Sequence, residues 1–143
     1  MRRTVAFPVL VLGLLFATGC GGDKTAPVEG LVVYADAPDT PATDLVGYAI
    51  TFESDGVGNA PASATGTVEA DGTFRVSTFK EGDGALKGKQ NVAITPPILR
   101  NGAKAPSKIL PKYHDLRTSG LEADIGPETN RVKLTVERVG KKK

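Results

Sequence analysis

A chain of 143 residues, 40% hydrophobic and 24% charged, suits one globular domain and leaves little room for a second. Setting aside Arg2 and Arg3, which fall in a segment expected to be cleaved, leaves 16 of the 18 basic residues against 16 acidic ones. That neutrality argues against nucleic acid as a partner, while 17 glycines, 10 prolines and no tryptophan favour short strands and turns over helices.

The chain opens with Met1-Arg2-Arg3, an apolar run from Val5 to Phe16, and the small residues Ala17-Thr18-Gly19 before Cys20. A basic start, an apolar centre and a small-residue cleavage site define a secretory signal, expected over residues 1–19. The apolar run is shorter than the roughly 20 residues that a spanning helix needs. Ala17-Thr18-Gly19-Cys20 resembles the lipobox of bacterial lipoproteins. The resemblance implies a diacylglyceryl group on the Cys20 thiol, cleavage just before Cys20, and acylation of the new amine. It also implies export and anchoring to the cell envelope. Cys20 is the only cysteine, so it has no disulfide partner within the chain. Residues 20–27 are expected to form the lipidated cysteine and its tether.

Strands are expected from Val28 onward, in a domain spanning residues 28–139. Val28 to Tyr34 is the first, with Leu31-Val32-Val33 apolar in both phases. Ala35 to Leu45 holds two prolines and three aspartates and reads as a loop. Tyr48, Ile50 and Phe52 alternate with Ala49, Thr51 and Glu53 in a half-buried strand. The stretch Gly66 to Ser77 reads as a hairpin around Asp71-Gly72. If Val68 and Phe74 share a face, they pair directly and Gly66 pairs with Val76. Three loop residues remain, Ala70, Asp71 and a left-handed Gly72. Backbone preference alone ranks Asn above Ala, and Ala above Val, as replacements for Gly72.

Gln90 to Thr95 is the next strand, with Val92 and Ile94 in phase, and Pro96-Pro97 ends it. Between Ile98 and Gly120 the chain is irregular and basic, with one short helical turn around Ile109, Leu110, Tyr113 and Leu116. Leu121 to Ile125 and Arg131 to Val139 alternate again, and residues 140–143 are a basic tail. The expected fold is all-β, an antiparallel β-sandwich of about seven strands. Its core is expected to hold Tyr48, Ile50, Phe52, Val68, Phe74, Val76, Val92, Ile94, Leu134 and Val136.

Three stretches resemble the carboxypeptidase regulatory-like, or transthyretin-like, sandwich, whose general form is also immunoglobulin-like. They are Val28-Glu29-Gly30-Leu31-Val32, Ala70-Asp71-Gly72-Thr73-Phe74, and Gly88-Lys89-Gln90-Asn91-Val92-Ala93-Ile94. The run from Leu110-Pro111-Lys112-Tyr113 to Thr118-Ser119-Gly120-Leu121 is similar to one in small bacterial lipoproteins of that type. The family is defined by fold, so the resemblance implies no catalytic residues.

His114 is the sole histidine, and a surface role is expected because no G-x-S-x-G elbow accompanies it. Asp71, Glu81 and Asp83 lie in glycine-rich turns, but the D-x-D-x-D-G spacing of a calcium loop is absent. Turn chemistry accounts for those aspartates, so neither metal nor cofactor is expected. The expected function is a non-enzymatic, lipid-anchored structural or protein-interaction module. Its partners would be the membrane, through Cys20, and a protein or other cell-envelope component. The alternative is a carbohydrate- or cell-wall-binding domain, for which Tyr113 is the loop aromatic able to stack on a sugar ring.

Overall fold

The computed structural model describes residues 24–54 and 62–140. The segment expected to be a signal, the expected lipid-attachment site at Cys20 and Lys141 to Lys143 lie outside the described residues. The hairpin at Asp71-Gly72 has the expected register, with Gly66 opposite Val76. Glu69 N–H donates to the Thr73 carbonyl at 2.8 Å and closes a loop of three residues. Gly72 N–H donates to the Glu69 carbonyl at 3.0 Å, and Gly72 is left-handed at φ +82°.

The strands are β1 (Thr25–Ala26), β2 (Val28–Tyr34), β3 (Ala37–Pro41), β4 (Ala49–Ser54), β5 (Ser63–Thr67), β6 (Thr73–Ser77), β7 (Ala85–Leu86), β8 (Gly88–Thr95), β9 (Leu121–Ile125) and β10 (Asn130–Val136). Short 3-10 turns occupy Thr43–Leu45 and Pro111–His114. Seven strands form one curled sheet in the order β10-β2-β6-β5-β4-β8-β9, with β3 also on β2 and β1 paired to β7. The fold is therefore an all-β, predominantly antiparallel sandwich, as composition and strand spacing lead one to expect.

Strand β6 joins the two layers. Its first half, Thr73 to Arg75, pairs with β2, and Val76 and Ser77 pair with β5. Two glycines permit that crossing. A Cβ at Gly66 would lie 1.9 Å from the Arg75 carbonyl oxygen, so only glycine lets the β6 backbone approach β5. A Cβ at Gly30 would lie 2.0 Å from the Phe74 ring, which fills the space that a side chain on β2 would take. All ten expected core residues are buried. The Phe52 and Phe74 rings meet at 6.1 Å between centroids. Tyr34, Leu45, Ile109 and the carboxamide-bearing Gln90 join them.

Four expectations are corrected. The tether does not run to Pro27: β1 pairs with β7, and Ala26 is 1% exposed within the core. A two-residue strand is too short for periodicity to reveal. Ala35 to Leu45 is not all loop, since β3 pairs with β2 and Leu45 is buried under one end of the sandwich. The prolines of β3 are tolerated because it is an edge strand. The last long strand stops at Val136 rather than Val139. Beyond it the chain turns to the 108–110 segment, where Leu110 N–H donates to the Glu137 carbonyl and Val139 N–H to the Lys108 carbonyl. Finally, one pairing is parallel. β2 and β10 run side by side over seven residue pairs, from Val28 with Asn130 to Tyr34 with Val136. Side-chain alternation is the same for either direction, so it does not encode this choice.

Candidate functional site

The outer face of β10, β2 and β6 forms an open groove of about 880 Å³. Alternation along the strands builds it. On β2, Val28, Val32 and Tyr34 turn inward, which leaves Glu29 and Leu31 outward. On β10, Leu134 and Val136 turn inward, which leaves Arg131 and Lys133 outward. Register then sets Arg131, Glu29 and Arg75 in one row across three strands, and Lys133, Leu31 and Thr73 in the next. The first row alternates in charge, and the Arg75 guanidinium lies 3.0 Å from the Glu29 carboxylate. The hairpin loop supplies Glu69 and Asp71 along one wall. Opposite charges on neighbouring strands are mutually favourable, but these side chains are exposed and the pair adds little stability.

The groove carries carboxylates and cations, and its lining includes no serine, histidine, cysteine or tyrosine. The Thr73 hydroxyl is held by the Asp71 carboxylate at 2.6 Å, and Thr73 N–H donates to the same oxygen at 3.0 Å. These hydrogen bonds hold the Asp71 carboxyl below the usual carboxylate range.

A Ser–His pair lies elsewhere, and sequence spacing gave no sign of it. Ser107 Oγ is 2.9 Å from His114 Nε2. Ser107 precedes the turn Pro111–His114, which brings the imidazole back onto it. His114 is half-buried rather than on the surface, and burial, with Lys104 nearby, pushes its pKa down. The serine proton goes to the Ile109 carbonyl at 2.7 Å, while Ile109 N–H donates back to Oγ at 3.2 Å. Asp115 does not orient the imidazole. Its carboxylate accepts from Arg117 N–H at 2.8 Å and pairs with the Arg117 side chain at 3.6 Å. The pair thus fixes the chain around Ile109, and the third member that a hydrolytic triad needs is elsewhere engaged.

The aspartate-rich turns are filled by backbone. Asp83 accepts N–H bonds from Thr78 at 2.7 Å, Phe79 at 3.0 Å and Lys80 at 3.2 Å. Among the described residues, no group of three or more His, Cys, Asp or Glu side chains is gathered for a metal. The sugar platform expected at Tyr113 is also displaced. Its ring is 4% exposed, and its hydroxyl donates to Glu137 at 3.1 Å. Tyr34 is likewise buried. Its hydroxyl donates to Asp44 at 3.0 Å, and the Arg138 guanidinium stacks 3.4 Å over its ring. Burial, then the Asp44 contact, pushes the Tyr34 pKa far up.

No family model matches the chain, and no curated protein matches it. Among solved structures the chain is similar to a 9R-lipoxygenase from Cyanothece PCC8801, at 11% identity and a TM-score of 0.41. The match covers 80% of this chain and 17% of that one. At that score the likeness bears on neither fold nor activity.

Proposed function

We propose that this chain is an exported, lipid-anchored lipoprotein whose transthyretin-like β-sandwich is a non-enzymatic protein-interaction module. The observation that carries the reading is the row Arg131, Glu29, Arg75 laid across three strands beside the half-buried Leu31. Such a surface suits a polar protein segment of alternating charge, because matched charges select register and partner more than they add affinity. The lipobox-like Ala17-Thr18-Gly19-Cys20 supplies the anchor in this reading, and double acylation would make it lasting. The burial of Tyr34, Tyr48 and Tyr113 removes the three tyrosines, Tyr113 among them, as platforms for the carbohydrate alternative.

Two measurements test the parts separately. Cys20→Ala is expected to abolish labelling by a clickable fatty acid and to release the protein from membranes. Equal labelling and retention in the variant refutes the anchor. Arg131→Glu with Lys133→Glu is expected to eliminate the partners cross-linked to the parent protein in envelope preparations. An unchanged cross-linking pattern refutes the groove as the interaction site.

A further inference from the structure

The direction of the strands sorts the loops between two ends of the sandwich. β2, β8 and β10 begin at one end, where β6 and β9 finish. The chain enters the fold there, at Lys24, beside the 78–87 turn and the connection from β9 to β10. The other end carries the hairpin tip at Gly72 and the irregular segment 96–120.

Phe79 stands at the first end and is 69% exposed. The other aromatic residues among those described are all buried. Its exposure does not come from a loose loop. Asp83 clamps the N–H groups of Thr78, Phe79 and Lys80, the Thr78 hydroxyl donates to the Gly84 carbonyl at 2.7 Å, and Gly82 N–H donates to Ser77 Oγ at 2.9 Å. A Cβ at Gly84 would meet the Ala26 carbonyl oxygen at 1.8 Å, so the turn is also pressed against β1. The fold holds an apolar ring out in solvent by a specific network, and the ring borders a shallow hollow with Lys24, Thr25, Lys80 and Asp83. Lys24 and Lys80 are exposed. Within the turn the acids are Glu81, which is exposed, and Asp83, whose oxygens are turned into the loop; the same end also carries exposed Asp124 and Glu128 around the close of β9.

We propose that this end of the sandwich lies on a phospholipid bilayer, with the Phe79 ring at the boundary of headgroups and acyl chains and Lys24 and Lys80 against lipid phosphates. The proposal rests on the lipid anchor at Cys20. Lys24 is four residue steps from Cys20, and four steps of extended chain reach at most about 14 Å. An acylated Cys20 therefore confines this end, and not the other, close to the lipid. Aromatic rings and snorkelling lysines are the side chains that suit such an interface.

The chain contains no tryptophan, so a single one is an unambiguous reporter. The full lipoprotein carrying Phe79→Trp, and separately Ile98→Trp, is reconstituted into phosphatidylethanolamine–phosphatidylglycerol vesicles containing brominated lipid. Ile98 is the control, being 72% exposed and at the other end. Both proteins are expected to float with the vesicles. The Phe79→Trp protein is expected to lose most of its emission to bromine, and the Ile98→Trp protein is expected to keep it. Adding Lys24→Glu and Lys80→Glu is expected to weaken the quenching. Flotation with an unquenched Phe79→Trp reporter, or equal quenching at both positions, overturns the proposal and leaves the anchor standing. A blue-shifted but unquenched reporter also overturns it and assigns the ring to a second copy of the chain. Failure of both proteins to float overturns the anchor, and the proposal with it.

Discussion

Three left-handed glycines in different surroundings allow backbone strain to be separated from packing. Gly82 has φ +77° and nothing within 4 Å of the position of a Cβ. Alanine there meets only the left-handed penalty, about 1–2 kcal/mol. Gly72 has a similar φ, but its Cβ would lie 2.9 Å from Pro41 Cβ and 3.1 Å from the Ala42 nitrogen. That contact follows from the edge of β2, where Val32 N–H donates to the Gly72 carbonyl and the Val32 carbonyl accepts from Ala42 N–H. The hairpin tip and β3 meet at one residue. Mild overpacking adds about 1 kcal/mol, so Gly72→Ala is expected to cost about 2–3 kcal/mol in all. For a domain of this size 1 kcal/mol moves the melting point by about 4 °C. Thermal melts of soluble chain beginning at Gly21 should therefore fall by about 4–8 °C for Gly82→Ala and about 8–12 °C for Gly72→Ala. Gly84→Ala should fall furthest, because its Cβ would strike the Ala26 backbone at 1.8 Å. If Gly72→Ala melts with Gly82→Ala, Pro41 does not rest on the hairpin and the placement of β3 is wrong. The Pro41 contact is common to Asn, Ala and Val at position 72, so it lowers all three and compresses the ranking expected from backbone preference.

Other outcomes are expected. Burial holds the His114 pKa below its ordinary value of 6.5, so the folded state binds that proton less readily than the unfolded state. The stability that neutral His114 contributes is complete above pH 6.5 and is lost as pH falls through the folded value. The melting point should decline over that window, and His114→Asn should flatten the decline; an identical slope in the variant refutes the assignment. Calcium chelation should leave the melting point unchanged, because one Asp71 oxygen and both Asp83 oxygens already accept local hydrogen bonds, and a drop reversed by calcium would show otherwise. Tyr34→Phe leaves Asp44 without its hydroxyl donor and should cost about 1 kcal/mol, discounted for the partial exposure of Asp44. A variant as stable as the parent would show that Arg138 and Lys108 suffice to hold that carboxylate.

The hairpin register was legible because two apolar residues of fixed parity leave one loop length that serves both. The ten core residues were legible for the same reason, each lying in an alternating run. β1 and β3 were not, because one is two residues long and the other carries two prolines and two exposed polar residues. Tyr113 looked exposed because its segment is basic and irregular. The Glu137 carboxylate and N–H, 24 residues away, give its hydroxyl polar partners while the ring itself is buried. The groove was hidden for a different reason. Glu29, Arg75 and Arg131 are unremarkable outward charges until the topology brings three distant strands together.

The parallel pairing of β2 with β10 has a mechanical consequence. In the proposed orientation, the chain is fixed to the bilayer ahead of β2, and the opposite load point to consider is the chain beyond Val136. A pull between those points runs along both strands in opposite senses. It loads all seven cross-strand pairs from Val28–Asn130 to Tyr34–Val136 in shear, so they must yield together rather than one after another. Had β10 run the other way, both load points would sit at one end, and the same pull would peel the strands apart pair by pair. The direction of a single edge strand thus sets whether a tethered domain bears tension or opens under it.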